Sequence, residues 1–282
     1  MADFDAGYAE APFRELAETA PGAEAYPPDA FRLEWGPIFH RGRLDGSARI
    51  LVIGQDPAAH EAIARRILVG EAGQRVQAFL GRLGVVRSYV MINAFLYSVF
   101  GGAGGGHVTD TAIMAYRHRW LEAVLTTSPI EAVVAFGRQA DTAWLTWCES
   151  SPSSAPLPYT AVPHPTMPES SSGGDPVKLQ AAYEQMLTRW NQALTVLHPA
   201  VTHPDAPGPL VPFDVAAPPP NAPIPAADLP AGCPAWMRSV SPWARREGPD
   251  AETKRATIVV TVPEEERPWH AEPGPPQTRP AN

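Results

Sequence analysis

Four short apolar runs frame this chain, each bounded by polar residues and followed by a stretch of helical periodicity. They are ARILVIG at 48–54, SYVMIN at 88–93, EAVVAF at 131–136 and YTAVP at 159–163. Helical patterns follow near 74–84, 110–127 and 138–148, and a last one covers 176–196. Continuous apolar runs of this length suit strands buried on both faces. With right-handed crossovers, the alternation predicts an α/β fold: a three-layer α/β/α arrangement around a central four-stranded parallel sheet.

In a parallel sheet the carboxyl ends of the strands share one edge, where ligands collect. The first run stops at Gly54 and passes at once to Gln55, Asp56 and Pro57; the second closes on Asn93, the third on Gly137 and the fourth on His164. Asp56, Asn93 and His164 are therefore expected to face one crevice. Ordinary loop polarity is the competing explanation, and an Asx-type cap or an X-Pro turn would account for Asn93 or His164 alone.

Composition divides the chain into three parts: an N-terminal helical and loop extension at 1–34, an α/β domain at 35–198, and a tail at 199–282. Of the 34 prolines, 20 fall from Pro199 onward, where 256–262 is the one strand-like run. The tail is expected to be mostly disordered, either a solubilising extension or a segment that binds an unidentified protein. Residues 8–20 suit a short amphipathic helix, and 32–43 an aromatic-rich connector in which His40 is packed or on the surface. Cys148 and Cys233, the only cysteines, have no partner at metal-ligand spacing, so neither a disulfide framework nor an iron–sulfur cluster is expected, and no metal site. No run approaches the roughly 18 apolar residues of a membrane span. A monomeric, intracellular protein without a membrane partner is expected.

The net charge of −8 hides a local reversal. Residues 1–31 carry one basic and seven acidic side chains, whereas 32–87 carry nine arginines against five acids. A locally basic segment is compatible with phosphate contact, and equally with a solvated surface.

GQDPA at 54–58, Asn93 closing a strand, and HPTMPESS at 164–171, in this order and spacing, resemble the uracil-DNA glycosylase superfamily, in a branch without an iron–sulfur cluster. LVGEAGQ at 68–74 and VVAFGRQA at 133–140 extend the likeness, which covers about 35–195. The resemblance implies a monofunctional DNA glycosylase of base-excision repair that needs no cofactor. It would flip uracil out of DNA, hydrolyse its N-glycosidic bond and leave an abasic site. Asp56 would face the cationic sugar and orient water, and a neutral His164 would donate to uracil O2. Asn93 would accept from N3–H and donate to O4, a pattern that cytosine reverses. Gln55, Ala58 and Leu68 would line the base pocket. The partners implied are uracil-containing and abasic-site DNA, gripped by the loop after His164 through Pro165, Met167, Ser170 and Ser171. Met167 suits a duplex wedge and a core position equally.

Three departures bear on specificity. Where the best-known branch has a tyrosine that blocks the thymine methyl, this chain has Ala58. Leu68 stands where relatives stack an aromatic ring on uracil, a place that Phe95 or Tyr97 can also fill. The loop GGAGGGHVTD at 101–110 supplies His107, a candidate for retaining the abasic product as some superfamily members do; flexibility is the alternative reading of its glycines. Arg117 and Arg119 can face the DNA backbone or solvent. The alternative activity is a protein of the same fold that binds uracil or abasic DNA with little turnover. A hydrolase or nucleotide-binding enzyme unrelated to DNA fits poorly, for the chain lacks G-x-S-x-G, a Walker A loop, and G-x-G-x-x-G after the first run.

Overall fold

Consecutive side chains of the central strands separate between two apolar faces. In the computed structural model, which describes residues 5, 7–101, 103–151, 157–240 and 242–267, β1 is Phe31–Arg32, β2 is His40–Gly42 and β3 is Ile50–Gly54. Leu51 and Ile53 of β3 join one core cluster, Ile50 and Val52 the other. β4 (Tyr89–Asn93) divides in the same way: Val90 and Ile92 against Tyr89 and Met91. So does β6 (Ala132–Phe136), which follows the two-residue β5 (Ser98–Val99); β7 is Tyr159–Val162. This period of two, with apolar residues at every position, is what burial of both faces demands.

Helices supply the cover. The first face packs against α1 (Phe13–Glu18), α4 (Thr111–Thr127) and α5 (Arg138–Ser150). The second packs against α3 (Glu71–Arg82) and α7 (Pro176–Leu197), with Phe79, Phe136 and Trp190 meeting edge to face at 5.3–5.6 Å. Two helices of six residues, α2 (Ala59–Ala64) and α6 (Met167–Ser172), open just after Asp56 and His164.

The sheet has five strands rather than four, in the order β2-β4-β3-β6-β7. The four expected strands are parallel, and β2 joins as an antiparallel edge strand, with His40 opposite Ile92 and Gly42 opposite Val90. β2 is His-Arg-Gly, without an apolar run, yet all three residues are buried. His40 has no exposed surface; its Nδ1 lies 3.1 Å from the Tyr8 hydroxyl, and burial pushes its pKa down to about 3. A smaller antiparallel pair, β1 with β5, sets Phe31 opposite Val99.

The largest difference from expectation lies after Pro199. The described part of this segment crosses the second face and forms a third apolar cluster, in which Ile224, Leu229 and Trp243 bury against Ala59, Ala64 and Val69. Up to β8 its backbone forms no strand and no helix longer than a 3-10 turn, with single side chains as anchors. Asp205 Oδ2 accepts from the amides of Val86, Arg87 and Ser88 at 2.8–2.9 Å. Phe213 enters the second core cluster while its backbone exchanges two hydrogen bonds with the Asn191 side chain. β8 (Ala244–Arg246) and β9 (Ile258–Val260) then pair as a hairpin around α8 (Ala251–Ala256). Proline's fixed φ lowers the entropy lost on ordering, so few apolar anchors suffice. Residues 241 and 268–282 of the expected tail lie outside the described residues.

One charged anchor is buried completely. Asp228 is fully buried and accepts from Tyr89 Oη at 2.6 Å and Arg43 Nη2 at 2.5 Å, with Arg41 Nε at 3.4 Å. Asp228→Ala should leave two cations without their counter-charge and lower unfolding free energy by about 3–5 kcal/mol. A urea unfolding midpoint equal to that of the parent would show that this carboxylate is dispensable.

Candidate active site at the carboxyl ends of the parallel strands

Asn93 and Gly54 close adjoining parallel strands in register, side by side at the carboxyl end of the sheet. A Cβ at position 54 would lie 2.2 Å from Asn93 Oδ1 and 3.3 Å from Leu68 Cδ1, so only glycine lets both side chains lie across the strand end. Asn93 is 7% exposed, and neither Oδ1 nor Nδ2 has a hydrogen-bond partner among the described residues. A buried amide left unpaired costs about 1–3 kcal/mol, so this one stands out as a group with unused donor and acceptor capacity.

Leu68 forms the adjacent wall, in a backbone conformation rare for a branched residue, φ 52°. Three contacts keep it there. Arg41 Nη1 donates to its carbonyl at 2.6 Å, while Arg41 Nη2 reaches Gln77 Oε1 at 3.2 Å. Gly73 fits closely beneath, since a Cβ there would meet that carbonyl oxygen at 1.4 Å. Glu61 of α2 then holds the next two residues, its Oε1 accepting from the amides of Val69 and Gly70 at 2.8 and 3.0 Å. Through Oε2 the same carboxylate accepts from Ala58 N at 3.0 Å. A carboxylate at the third position of a helix commonly reaches back in this way, so Glu61 could have been recognised from its spacing to Ala58.

Asp56 stands at the end of β3, half-buried. Its Oδ2 accepts from Val99 N at 3.1 Å. Burial pushes its pKa up to about 6; the Val99 amide opposes the rise, Glu61 adds to it, and Arg32 and Arg246 oppose it. Arg32 is itself buried and donates to Ser98 Oγ at 3.0 Å and to the Val99 carbonyl. One residue, Val99, thus meets the carboxylate through its N–H and the guanidinium through its carbonyl.

His164 follows β7. The Thr166 amide donates to Nδ1 at 3.3 Å, and the Thr166 hydroxyl lies 3.1 Å from the same atom, so the neutral ring carries its proton on Nε2. Burial lowers the pKa to about 4, Arg75 lowers it further, and Glu61 and Glu169 oppose. Arg75 is buried and fixes this loop, donating to the Pro165 carbonyl at 2.7 Å and to both oxygens of Glu169. Gln55 Oε1 accepts weakly from Gln139 N at 3.3 Å, which turns that side chain toward the start of α5.

The remaining sequence candidates are distributed unevenly. Ala58 is exposed at the start of α2. Ser170 and Ser171 are exposed on α6, their hydroxyls turned back to the carbonyls of Met167 and Pro168. Pro165 is buried, and Met167 packs against the second core cluster, which favours its core reading. Phe95 and Tyr97 also belong to the core, their rings 5.2 Å from Phe31 and 4.8 Å from Tyr26. Arg117 is no surface cation: it is buried and donates to the carbonyls of Ala94 and Val108. Arg119 is the exposed one of the pair, its Nη2 3.3 Å from Thr19 Oγ1. His107 is half-buried, its Nδ1 2.7 Å from Asp110 Oδ2 and its ring 5.5 Å from Phe31. Gly102 of its loop lies outside the described residues.

At the carboxyl end of the parallel sheet the chain therefore presents a carboxylate and an imidazole N–H donor, each two residues beyond its strand, and an unpaired amide that closes β4. A family model describing the uracil DNA glycosylase superfamily matches residues 41–200. No curated protein matches the chain.

The depressed pKa of His164 has a stability consequence whose sign is fixed. Unfolded histidine takes up its proton near pH 6.5, whereas folded His164 does so only near 4. Stability is lost as pH falls from about 6.5 toward 4, because the unfolded chain binds the extra proton. His164→Gln should reduce the drop in urea midpoint between pH 7 and pH 5; an unaltered drop would assign the acid sensitivity elsewhere.

Proposed function

The chain belongs to the uracil DNA glycosylase superfamily, and from that premise we propose that it is a monofunctional glycosylase that excises uracil from DNA. The single observation that carries the reading is the Asn93 amide, buried with both ends unpaired beside Leu68 and Gly54. Uracil offers the N3–H donor and O4 acceptor that such an amide lacks; cytosine offers the reverse. The base must leave the duplex to reach it.

The chemistry follows from the charges. As the glycosidic bond breaks, the sugar gains cationic character and the base anionic character. Asp56 meets the sugar and orients the attacking water, and the Nε2–H of His164 donates to uracil O2 as negative charge gathers there. With pKa values of about 6 and about 4, the carboxylate is ionised and the imidazole neutral at pH 7. Exposed Ala58 leaves open space where a tyrosine would exclude thymine, and Leu68 offers an aliphatic face in place of an aromatic stack.

A second reading rests on His107. Its Nδ1 hydrogen bond to Asp110 orients the ring, which makes Nε2 the candidate nucleophile. On this reading Nε2 bonds to the anomeric carbon as uracil departs with the bonding electrons, and the protein keeps the abasic strand. Incubation with a uracil-containing oligonucleotide followed by alkali separates the two. Strand breaks in excess of protein mean turnover; a shifted band that survives denaturant means capture.

Asp56→Asn should abolish excision while sparing binding of the uracil oligonucleotide. In the parent, kcat/KM should rise about tenfold per pH unit below 6 and level above it, as Asp56 ionises. Full activity in Asp56→Asn would remove this residue from the mechanism. Asn93→Asp should erode discrimination between uracil and cytosine, and unchanged discrimination would refute the role given to the amide.

A further inference from the structure

The hairpin of β8 and β9, outside the family-matched residues, contacts both α2 and Arg32 of β1. On one side Trp243 is buried against His60 of α2 at 4.8 Å, and the Ala244 amide donates to His60 Nε2 at 3.2 Å. On the other side Arg32 Nε donates to the Arg255 carbonyl at 3.4 Å. The guanidinium carbons of Arg32 and Arg255 both lie close to the Phe100 ring centre, at 4.3 and 4.4 Å.

Arg246 joins these two, close enough for its charge to act on both Arg32 and Asp56. Arg245 is paired with Glu247 at 2.7 Å, but among the described residues no carboxylate lies within ion-pair distance of Arg32, Arg246 or Arg255. Arg246 and Arg255 are exposed, whereas Arg32 is 2% exposed and held by Ser98 and Val99. Guanidinium groups sharing one ring repel one another, and cation–π contact of about 0.5–1 kcal/mol each only partly offsets this. Such a cluster is matched by an anion from outside. Val99 joins the cluster to the chemistry, its N–H meeting Asp56 and its carbonyl meeting Arg32. An anion held by these arginines would therefore adjoin a sugar standing at Asp56.

We propose that the β8–β9 hairpin is a DNA-gripping arm, in which Arg246 and Arg255, with Arg32 beneath, hold a phosphodiester flanking the flipped nucleotide. The assignment of the nucleotide's position rests on the glycosylase reading above. Arginine suits the task because its planar fork binds two phosphate oxygens at once.

The test uses the full chain and a uracil-containing duplex, with Kd measured by fluorescence anisotropy over a series of salt concentrations. For the Arg246→Ala/Arg255→Ala double variant, the slope of log Kd against log salt should fall by about 1, one phosphate contact having been lost. Arg246→Lys/Arg255→Lys should restore most of the slope, which separates charge from damage to the fold. A neutral methylphosphonate at a flanking phosphate should weaken binding by the parent but not by the double alanine variant. An unchanged slope overturns the proposal, as does tighter binding or faster excision by the variant, which would make the hairpin a lid. If the parent shows no preference for uracil over undamaged DNA, the glycosylase reading fails, and the slope on undamaged duplex still decides whether the arm grips phosphate.

Discussion

The guanidinium of Arg41 has no exposed surface, and four separate parts of the chain meet on it. It extends from edge strand β2, donates to the carbonyl of Leu68, reaches Gln77 on α3, and lies against Asp228 from beyond Pro199. A buried cation is tolerated only where its charge is matched, and here Asp228 matches it while both terminal nitrogens donate to Leu68 and Gln77. The edge strand, the αL turn at Leu68 and the C-terminal segment therefore form one unit, since disrupting any of them leaves charge uncompensated. This accounts for a polar His-Arg-Gly triplet forming a strand in the interior.

The same dependence explains what was legible in the sequence. The four parallel strands announce themselves because burial on two faces requires unbroken apolar runs, and Asp56, Asn93 and His164 stand out because polar residues then collect at the strand ends. β2 carries no such run; its burial is set by a carboxylate far along the chain. The C-terminal segment lacks periodicity because its anchors are single residues, Phe213, Ile224, Leu229 and Trp243, separated by proline-rich backbone. Arg117 and Arg119 show the limit within one helix. Two residues apart, they point to different faces, and nothing in their type reveals that Arg117 is the buried one.

In the crevice, burial acts on Asp56 and His164 in the same sense, toward the neutral form, yet the outcomes differ. The Val99 amide and two arginines oppose the rise at Asp56, so the carboxylate remains charged near neutral pH. At His164 the Arg75 charge adds to burial, so the imidazole remains uncharged. Arg32 and Arg75 serve the site twice over. Each fixes a neighbouring loop through a backbone carbonyl, and each shifts the proton equilibrium of the group beside it.

Stability is set aside in two places for this arrangement. The unpaired Asn93 amide costs about 1–3 kcal/mol, and the αL conformation of Leu68 a similar amount. These losses differ in kind. The strain at Leu68 is sustained by Arg41, Gly73 and the C-terminal anchor whether or not anything is bound. The loss at Asn93 is recovered only when a planar group presents a donor and an acceptor in the complementary order. A group with the reversed order leaves the amide unpaired unless that amide turns over about χ2, a turn that no hydrogen bond among the described residues opposes. Buried polar sites discriminate more sharply by such mismatch than apolar pockets do by shape, so selectivity is expected to depend on the amide more than on the aliphatic wall beside it.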